Sequence, residues 1–314
     1  MKNNTKNTCT GQHLPHWYIL GPGAIGCLWA SYWAQQNQGV SLIGRQAHTA
    51  TLQRCDDNSS QTFNVKTVSA EHLTGKIDYL LVTTKAQQTH EALNSLQAWL
   101  ADDAVIVILQ NGMAANEITV NPQQKLFAAT TTDGAHRLSP RQVIHAGKGQ
   151  THIGPLSCQA KKLGRSIVPL LPSALAIDYS DDIRLRLWQK LAINCAINGL
   201  TVVHRCRNGE LLTITEARHS ISQLCREIIA VTNTLQLGVW FIDLEHHVKE
   251  VLTLTADNVS SMLQDIRQGR GTEIDQINGY LCRQAQQLGI AAPHNQSLLK
   301  AVQQVEANAS GVLP

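Results

Sequence analysis

Several things are scarce in this chain at once. Of 314 residues only 4% are aromatic and 16% are charged, with three phenylalanines, three methionines and no block of like charges. A formal net charge of +3 over that length leaves no basic stripe for nucleic acid or an anionic membrane surface. Nothing approaches the roughly 18 consecutive apolar residues of a membrane span. Residues 1–16 are polar and lack the apolar core of a secretory signal, so they read as a disordered extension, and the default compartment is the cytoplasm. The eight cysteines form no C-x-x-C pair, which argues for reduced, structural thiols. The thirteen histidines include His246-His247, yet neither H-E-x-x-H nor any comparable ligand spacing occurs, so no metal is expected.

What is present is 43% hydrophobic residues, enough to bury the core of one large or two ordinary globular domains. The first ordered unit is expected at Trp17-Tyr18-Ile19-Leu20, followed by Gly21-Pro22-Gly23-Ala24-Ile25-Gly26, a helical stretch from Cys27, and a second strand Val40-Ser41-Leu42-Ile43. Strand, G-x-G-x-x-G, helix and strand in that order form the dinucleotide-binding pattern. Gly21 permits the tight turn, Gly23 lets backbone approach a pyrophosphate, and Gly26 lets helix and strand pack closely. Free N–H groups at the helix start then face the phosphates. A glycine turn in an α/β protein that binds another ligand, such as a methyltransferase, is the competing reading.

After the second strand comes Gly44-Arg45-Gln46, with no acid to hold a ribose 2′-hydroxyl, which favours the 2′-phosphate of NADP over NAD. The competing reading of Arg45 is an ordinary surface cation. Further parallel strands are expected at Tyr79–Thr83 and Ala104–Leu109, separated by a helical segment 87–100. Their carboxyl ends place Lys85 and Asn111 where open α/β sheets bind ligands, although a solvated strand end and a plain turn explain them too. Short β segments around 126–132 and 142–145 suggest a sheet extension or hairpin, and the segment 163–182 closes the first domain.

From about Asp182 the period becomes helical. On the expected helix around Trp188, Lys190, Asn194 and Asn198 fall at i, i+4 and i+8 and form one polar stripe among apolar residues. Buried ammonium and amide groups need partners. Those partners are either other side chains of a core helix or a small polar ligand in a cleft. Helices are also expected over 215–237, stopped by Gly238, over 243–257, and from Thr272, where Thr272-Glu273-Ile274-Asp275 reads as an N-terminal cap and Gly289 with Pro293 marks the end. A polar cluster, Asn258-Val259-Ser260-Ser261-Met262, precedes that helix and reads either as a cap or as part of a site.

These stretches together resemble the ketopantoate reductase (2-dehydropantoate 2-reductase) family from about Trp17 onward. The most specific are Leu187 to Thr201, Ser260 to Arg267, and Thr272 to Asp275; Gln110-Asn111-Gly112-Met113, Thr130-Thr131-Thr132 and Thr151 to Pro155 support them. The resemblance implies an α/β fold: a Rossmann-type doubly wound sheet over residues 17–181, then an all-α domain over 182–314 of the 6-phosphogluconate dehydrogenase C-terminal-like kind. It implies NADPH-dependent reduction of ketopantoate to (R)-pantoate in pantothenate and coenzyme A synthesis, by a monomer or homodimer. By the same resemblance Lys190 matches the proton-donating lysine. Glu273 matches a carboxylate near the cofactor and reacting centre. Asn194, Asn198, Asn208, Asn258 and Ser261 match substrate positions, with Asn111 serving substrate and cofactor. Gly21, Pro22, Gly23, Ala24, Ile25, Gly26, Arg45, Lys85 and Ala135 match cofactor positions.

Two departures stand out. Gly199 replaces the usual proline after Asn198, where it is expected to serve as a helix terminator. Asp133-Gly134 replaces the usual His-Ala beside Ala135. The chemistry fits the residues independently of the resemblance: hydride addition to a ketone leaves an alkoxide needing a proton, and a lysine desolvated in an apolar helix has its pKa drawn down towards neutrality. A related 2-keto or 3-hydroxy acid dehydrogenase of the same architecture is the nearest alternative. A non-catalytic NADP sensor is another, disfavoured because binding a dinucleotide needs neither Lys190 nor Glu273.

Overall fold

The computed structural model describes residues 14–56 and 59–309. Most of the expected extension 1–16 therefore lies outside the described residues. At its end the Pro15 carbonyl accepts from Gln38 Nε2 at 3.2 Å, and His16 Nε2 lies 3.0 Å from Ser41 Oγ.

In chain order the elements are β1 (Trp17–Leu20), α1 (Ala24–Gln35), β2 (Val40–Ile43), β3 (His48–Asp56), β4 (Ser59–Val68), β5 (Ile77–Val82), α2 (Thr89–Asn94), β6 (Leu100–Leu109), β7 (Lys125–Thr131), β8 (Gly134–Ser139), β9 (Gln142–Gly147), β10 (Thr151–Pro155), α3 (Cys158–Leu163) and β11 (Ile177–Tyr179). The helical half follows with α4 (Ile183–His204), α5 (Thr215–Thr234), α6 (Leu244–Leu254), α7 (Ser261–Arg267), α8 (Asn278–Gln287) and α9 (Pro293–Ala309). The strands form one sheet in the order β11-β10-β7-β6-β5-β1-β2-β4-β3-β9-β8, whose centre from β7 to β4 is parallel.

Alternation along the central strands sends side chains to two different layers. Ile19, Leu81, Val107 and Phe127 face α1 and α3, where Trp17, Trp29 and Trp33 are fully buried; Trp17 stacks on Trp33 at 4.8 Å between ring centroids. Leu20, Val82, Ile106, Ile108 and Leu126 face the other way and share one continuous core with Leu187, Trp188 and Leu191 of α4. The chain thus has an N-terminal Rossmann-like domain and a C-terminal helical domain fused through a common apolar layer, and the parallel strands end at the seam between them. No helix of the described residues is long and apolar enough to cross a membrane.

Four local expectations change. The helical segment 87–100 shrinks to α2, because its chain turns at 95–99 to enter β6 at Leu100. The β3–β4 hairpin, unexpected from the sequence, extends the sheet; Arg54, only 6% exposed, occupies a core position there. It lies 3.9 Å over the Tyr32 ring and donates to Ser31 Oγ, Gln35 Oε1 and Gln61 Oε1. The helix expected from Thr272 begins only at Asn278; the Thr272 hydroxyl accepts from the Ile274 N–H at 3.2 Å, and a separate 3-10 turn over Ile274–Gln276 comes between. Gly199 does not terminate α4, which runs to His204. A Cβ there would lie 2.9 Å from the Leu298 side chain, so glycine serves the close approach of α9.

Candidate active site

At the carboxyl ends of the parallel strands lies a cleft of about 570 Å³ between the two domains. Its lining includes Gly23, Ala24, Ile25, Lys85, Asn111, Ala135, Lys190, Ser261 and Glu273. A second hollow of about 890 Å³, between α1 and β4, contains none of the residues singled out from the sequence.

On the sheet side the three glycines divide their work as expected. Gly21 has φ +104° and no room for a side chain, since a Cβ would meet Thr84 N at 2.8 Å. A Cβ on Gly26 would strike the Gly21 carbonyl at 2.3 Å, so this residue brings α1 against the strand ends. Around Gly23 nothing lies within 4 Å of such a Cβ, and the first turn of α1 has neither a side-chain cap nor an acidic residue. Its N–H groups face the cleft free to bind an anion. This cradle fits the pyrophosphate of a dinucleotide. The Pro22 carbonyl accepts from Arg137 Nη1 at 2.5 Å, tying the β8–β9 hairpin to the loop.

Facing it, Lys190 Nζ donates to the Thr131 carbonyl at 2.6 Å. Burial draws the lysine pKa down to about 8, against the opposing pull of the Glu273 and Asp133 carboxylates. Glu273 Oε2 accepts from Asn111 Nδ2 at 3.0 Å, and the carboxylate also accepts from the Ala86 N–H. Burial nevertheless pushes the Glu273 pKa upward. Lys85 donates to the Gly271 carbonyl at 2.6 Å and pairs with Asp265 at 3.0 Å, and Asp265 also receives Arg270 at 2.7 Å. The Ser260 hydroxyl caps α7 through Leu263 N–H at 3.1 Å, which leaves the next residue, Ser261, to line the cleft mouth.

Not every residue singled out from the sequence reaches this lining. Asn194 and Asn198 stand one and two turns beyond Lys190 on α4, half-buried and buried, and neither lines the cleft. Asn208 donates to Thr255 Oγ1 at 2.9 Å while its Oδ1 is buried with no partner; its N–H bonds the carbonyl of Asn258, itself exposed. Arg45 is exposed and does not line the cleft. Gly21, Pro22 and Gly26 shape the cradle from behind. Sequence reasoning missed the Thr131 carbonyl and the basic residues Arg137 and Arg270. Arg137 arrives through a long-range contact with Pro22 and Arg270 through a pair with Asp265 five residues before it; both side chains are exposed and leave no periodic signal.

A glycine loop and uncapped helix start on a parallel sheet, facing a lysine on an all-helical second domain, define the two-domain class of Rossmann-like proteins. Residues 17–157 match the family described as ketopantoate reductase PanE/ApbA, and residues 182–306 match its C-terminal counterpart; the chain belongs to that family. Its curated relatives include the 2-dehydropantoate 2-reductase of Shigella flexneri, 38% identical over 296 residues, covering 92% of this chain and 94% of the relative. Among solved structures, a PanE/ApbA family ketopantoate reductase from Ralstonia eutropha JMP134 superposes with a TM-score of 0.82 at 25% identity over 94% of this chain and 99% of the other. A D-mandelate dehydrogenase in complex with NADH and anilino(oxo)acetate gives 0.84 at 22% identity over 94% and 99%, a likeness of fold.

Proposed function

We propose that this chain is an NADPH-dependent 2-dehydropantoate 2-reductase, reducing ketopantoate to (R)-pantoate for pantothenate and coenzyme A synthesis in the cytoplasm. The observation that carries the reading is Lys190 in the cleft, an ammonium with a lowered pKa held 2.6 Å from one carbonyl and opposite an anion-ready glycine loop. Family membership makes ketopantoate the first substrate to test. Residues 17–181 form the NADP-binding domain and 182–314 the substrate and catalytic domain.

Gly23, Ala24 and Ile25 hold the pyrophosphate through backbone N–H groups. Lys85, Ala135 and Asn111 would hold the rest of the cofactor, and Arg45 would be the cation for a ribose 2′-phosphate. When bound, the reduced nicotinamide supplies a hydride to the keto carbon. Lys190 gives up a proton to the oxygen as it becomes an alkoxide, and its charge stabilises that oxygen beforehand. The Thr131 carbonyl and Glu273 aim the ammonium. Asn194, Asn198 and Ser261 hold the carboxylate and hydroxyl of the short acid by neutral hydrogen bonds, with Asn208 and Asn258 as outer contacts. The place of the first two on the Lys190 face of α4 supports that role, and so does the orphaned Asn208 Oδ1.

A related 2-keto acid dehydrogenase using NADH is the second reading, favoured by the position of Arg45 outside the cleft lining. Initial rates with ketopantoate, pyruvate and 2-ketoisovalerate, each with NADPH and NADH, separate the two. A kcat/KM highest for ketopantoate with NADPH supports the first. A preference for another keto acid or for NADH overturns it.

A further inference from the structure

Where β7 leaves the sheet, Asp133 is sealed into a polar chain that the chemistry above does not use. Its side chain is 2% exposed and that of His145, on β9, 3%. Asp133 Oδ1 accepts from the Gly149 N–H at 2.9 Å and lies 2.9 Å from His145 Nε2; Oδ2 accepts from the Thr131 hydroxyl at 2.8 Å. Burial alone raises a carboxylate pKa, but these bonds and the neighbouring ring outweigh it and hold Asp133 below the usual range. Behind it, His145 Nδ1 meets the Tyr32 hydroxyl at 2.8 Å, and Arg54 covers the Tyr32 ring. In front, Thr131 bonds Asp133 through its hydroxyl and Lys190 through its carbonyl, so one residue carries both the anion and the ammonium.

We propose that Asp133, locked by His145 and Gly149, is a positioning residue for the reduction: its buried carboxylate sets the field in which Lys190 keeps its proton and fixes the Thr131 carbonyl on which the ammonium rests. This rests on the reading of Lys190 as proton donor. The charged groups that face Lys190 are Glu273, from the segment before α8, and Asp133. The other ionisable groups of the cleft are engaged elsewhere: Lys85 and Arg270 on Asp265, and Arg137 on the Pro22 carbonyl, while His136 stands on β8. Facing Asp133 are His145 from β9 and, one step further, Tyr32 from α1 and Arg54 from β3. A carboxylate whose only task is to pin the hairpin has no need of a shared residue with the lysine.

The test uses the full chain with Asp133→Asn and Asp133→Ser, both neutral, and Asp133→Glu, which keeps the charge. Two readouts are taken across pH: kcat with ketopantoate and NADPH, and trace acetylation of Lys190 by acetic anhydride quantified by mass spectrometry. Both neutral variants should move the Lys190 labelling midpoint and the basic limb of kcat downward by about 0.5 to 1 pH unit, with the KM for NADPH held within about twofold. Asp133→Glu should restore the midpoint even if its Tm stays low. Neutral variants that melt earlier yet leave the labelling midpoint unmoved overturn the inference, whatever their rates. A labelling midpoint that falls while Lys190→Ala retains full kcat supports the field of Asp133 and sinks the proton-donor reading instead.

Discussion

The glycine-loop wall of the cleft is made of backbone, and the wall opposite is made of side chains. Gly23, Ala24 and Ile25 offer N–H groups, whereas Lys190, Ser261 and Glu273 offer an ammonium, a hydroxyl and a carboxylate. The difference decides what each wall tolerates. A backbone wall fails when atoms are added to it, because its function is room; a side-chain wall fails when atoms are taken away. The two also differ in pH response, since peptide N–H groups do not titrate in the working range and Lys190 does.

The sharpest way to break this comparison is Lys190→Ala, which should lower kcat by roughly 10²–10⁴, the usual loss for a general acid, with NADPH binding and Tm nearly unchanged. Steady-state kinetics beside a thermal melt reads both; an active but destabilised variant makes the stripe a mere core feature. Next comes pH. With the Lys190 pKa at about 8, kcat for reduction should be level below that value and fall about tenfold per unit above it, as the ammonium is lost. The same group affects stability with its own sign. Its folded pKa lies below the ordinary value of 10.5, so its contribution to stability is least below about pH 8 and improves as pH rises from there towards 10.5.

On the backbone wall, one added methyl should give two different failures. Gly26→Ala pushes a Cβ onto the Gly21 carbonyl and should cost ~1–3 kcal/mol of stability, seen in the melt. Gly23→Ala meets nothing in the folded chain, so Tm should hold while the KM for NADPH rises by about tenfold or more, the equivalent of ~1.4 kcal/mol. Equal effects of the two on Tm would show that the loop is only structural. Asn198→Ala is smaller: a two- to tenfold rise in the KM for ketopantoate, matching the ~0.5–1.5 kcal/mol of one neutral hydrogen bond. Smallest is Arg45→Ala. From its exposed position it should narrow the NADPH preference by only a few-fold, in line with ~0.2–1 kcal/mol for an exposed ion contact.

The backbone wall was legible in the sequence because glycine at fixed spacing after an apolar run has few other uses, and β1, α1 and β2 lie where that spacing puts them. The α4 stripe was legible through its helical period. What escaped notice had no period to show. Arg54 sits inward on β3 two positions after the buried Leu52, so a charge interrupts the apolar alternation of that strand. Asp133 and His145 meet only because the β8–β9 register sets Gly134 opposite Gly147 and Ala135 opposite His145. Tyr32, the next link, is 113 positions from His145. The bond from Asn111 to Glu273 spans 162 positions and exists only once the two domains share a core.

The indole cluster described between α1 and the sheet makes the chain its own optical gauge. Three of six tryptophans are packed there in one solvent-free group, with Trp17 and Trp33 stacked and Trp29 edge-on to Trp33 at 5.5 Å. Rings that close and that rigid couple their electronic transitions, so near-ultraviolet circular dichroism will report chiefly on the layer beneath the glycine loop. Trp188, tilted against Tyr280 at 5.8 Å, belongs to the other core. Its emission follows the helical domain, and a melt watched by the two signals together will show whether the two walls of the cleft come apart in one step or in turn.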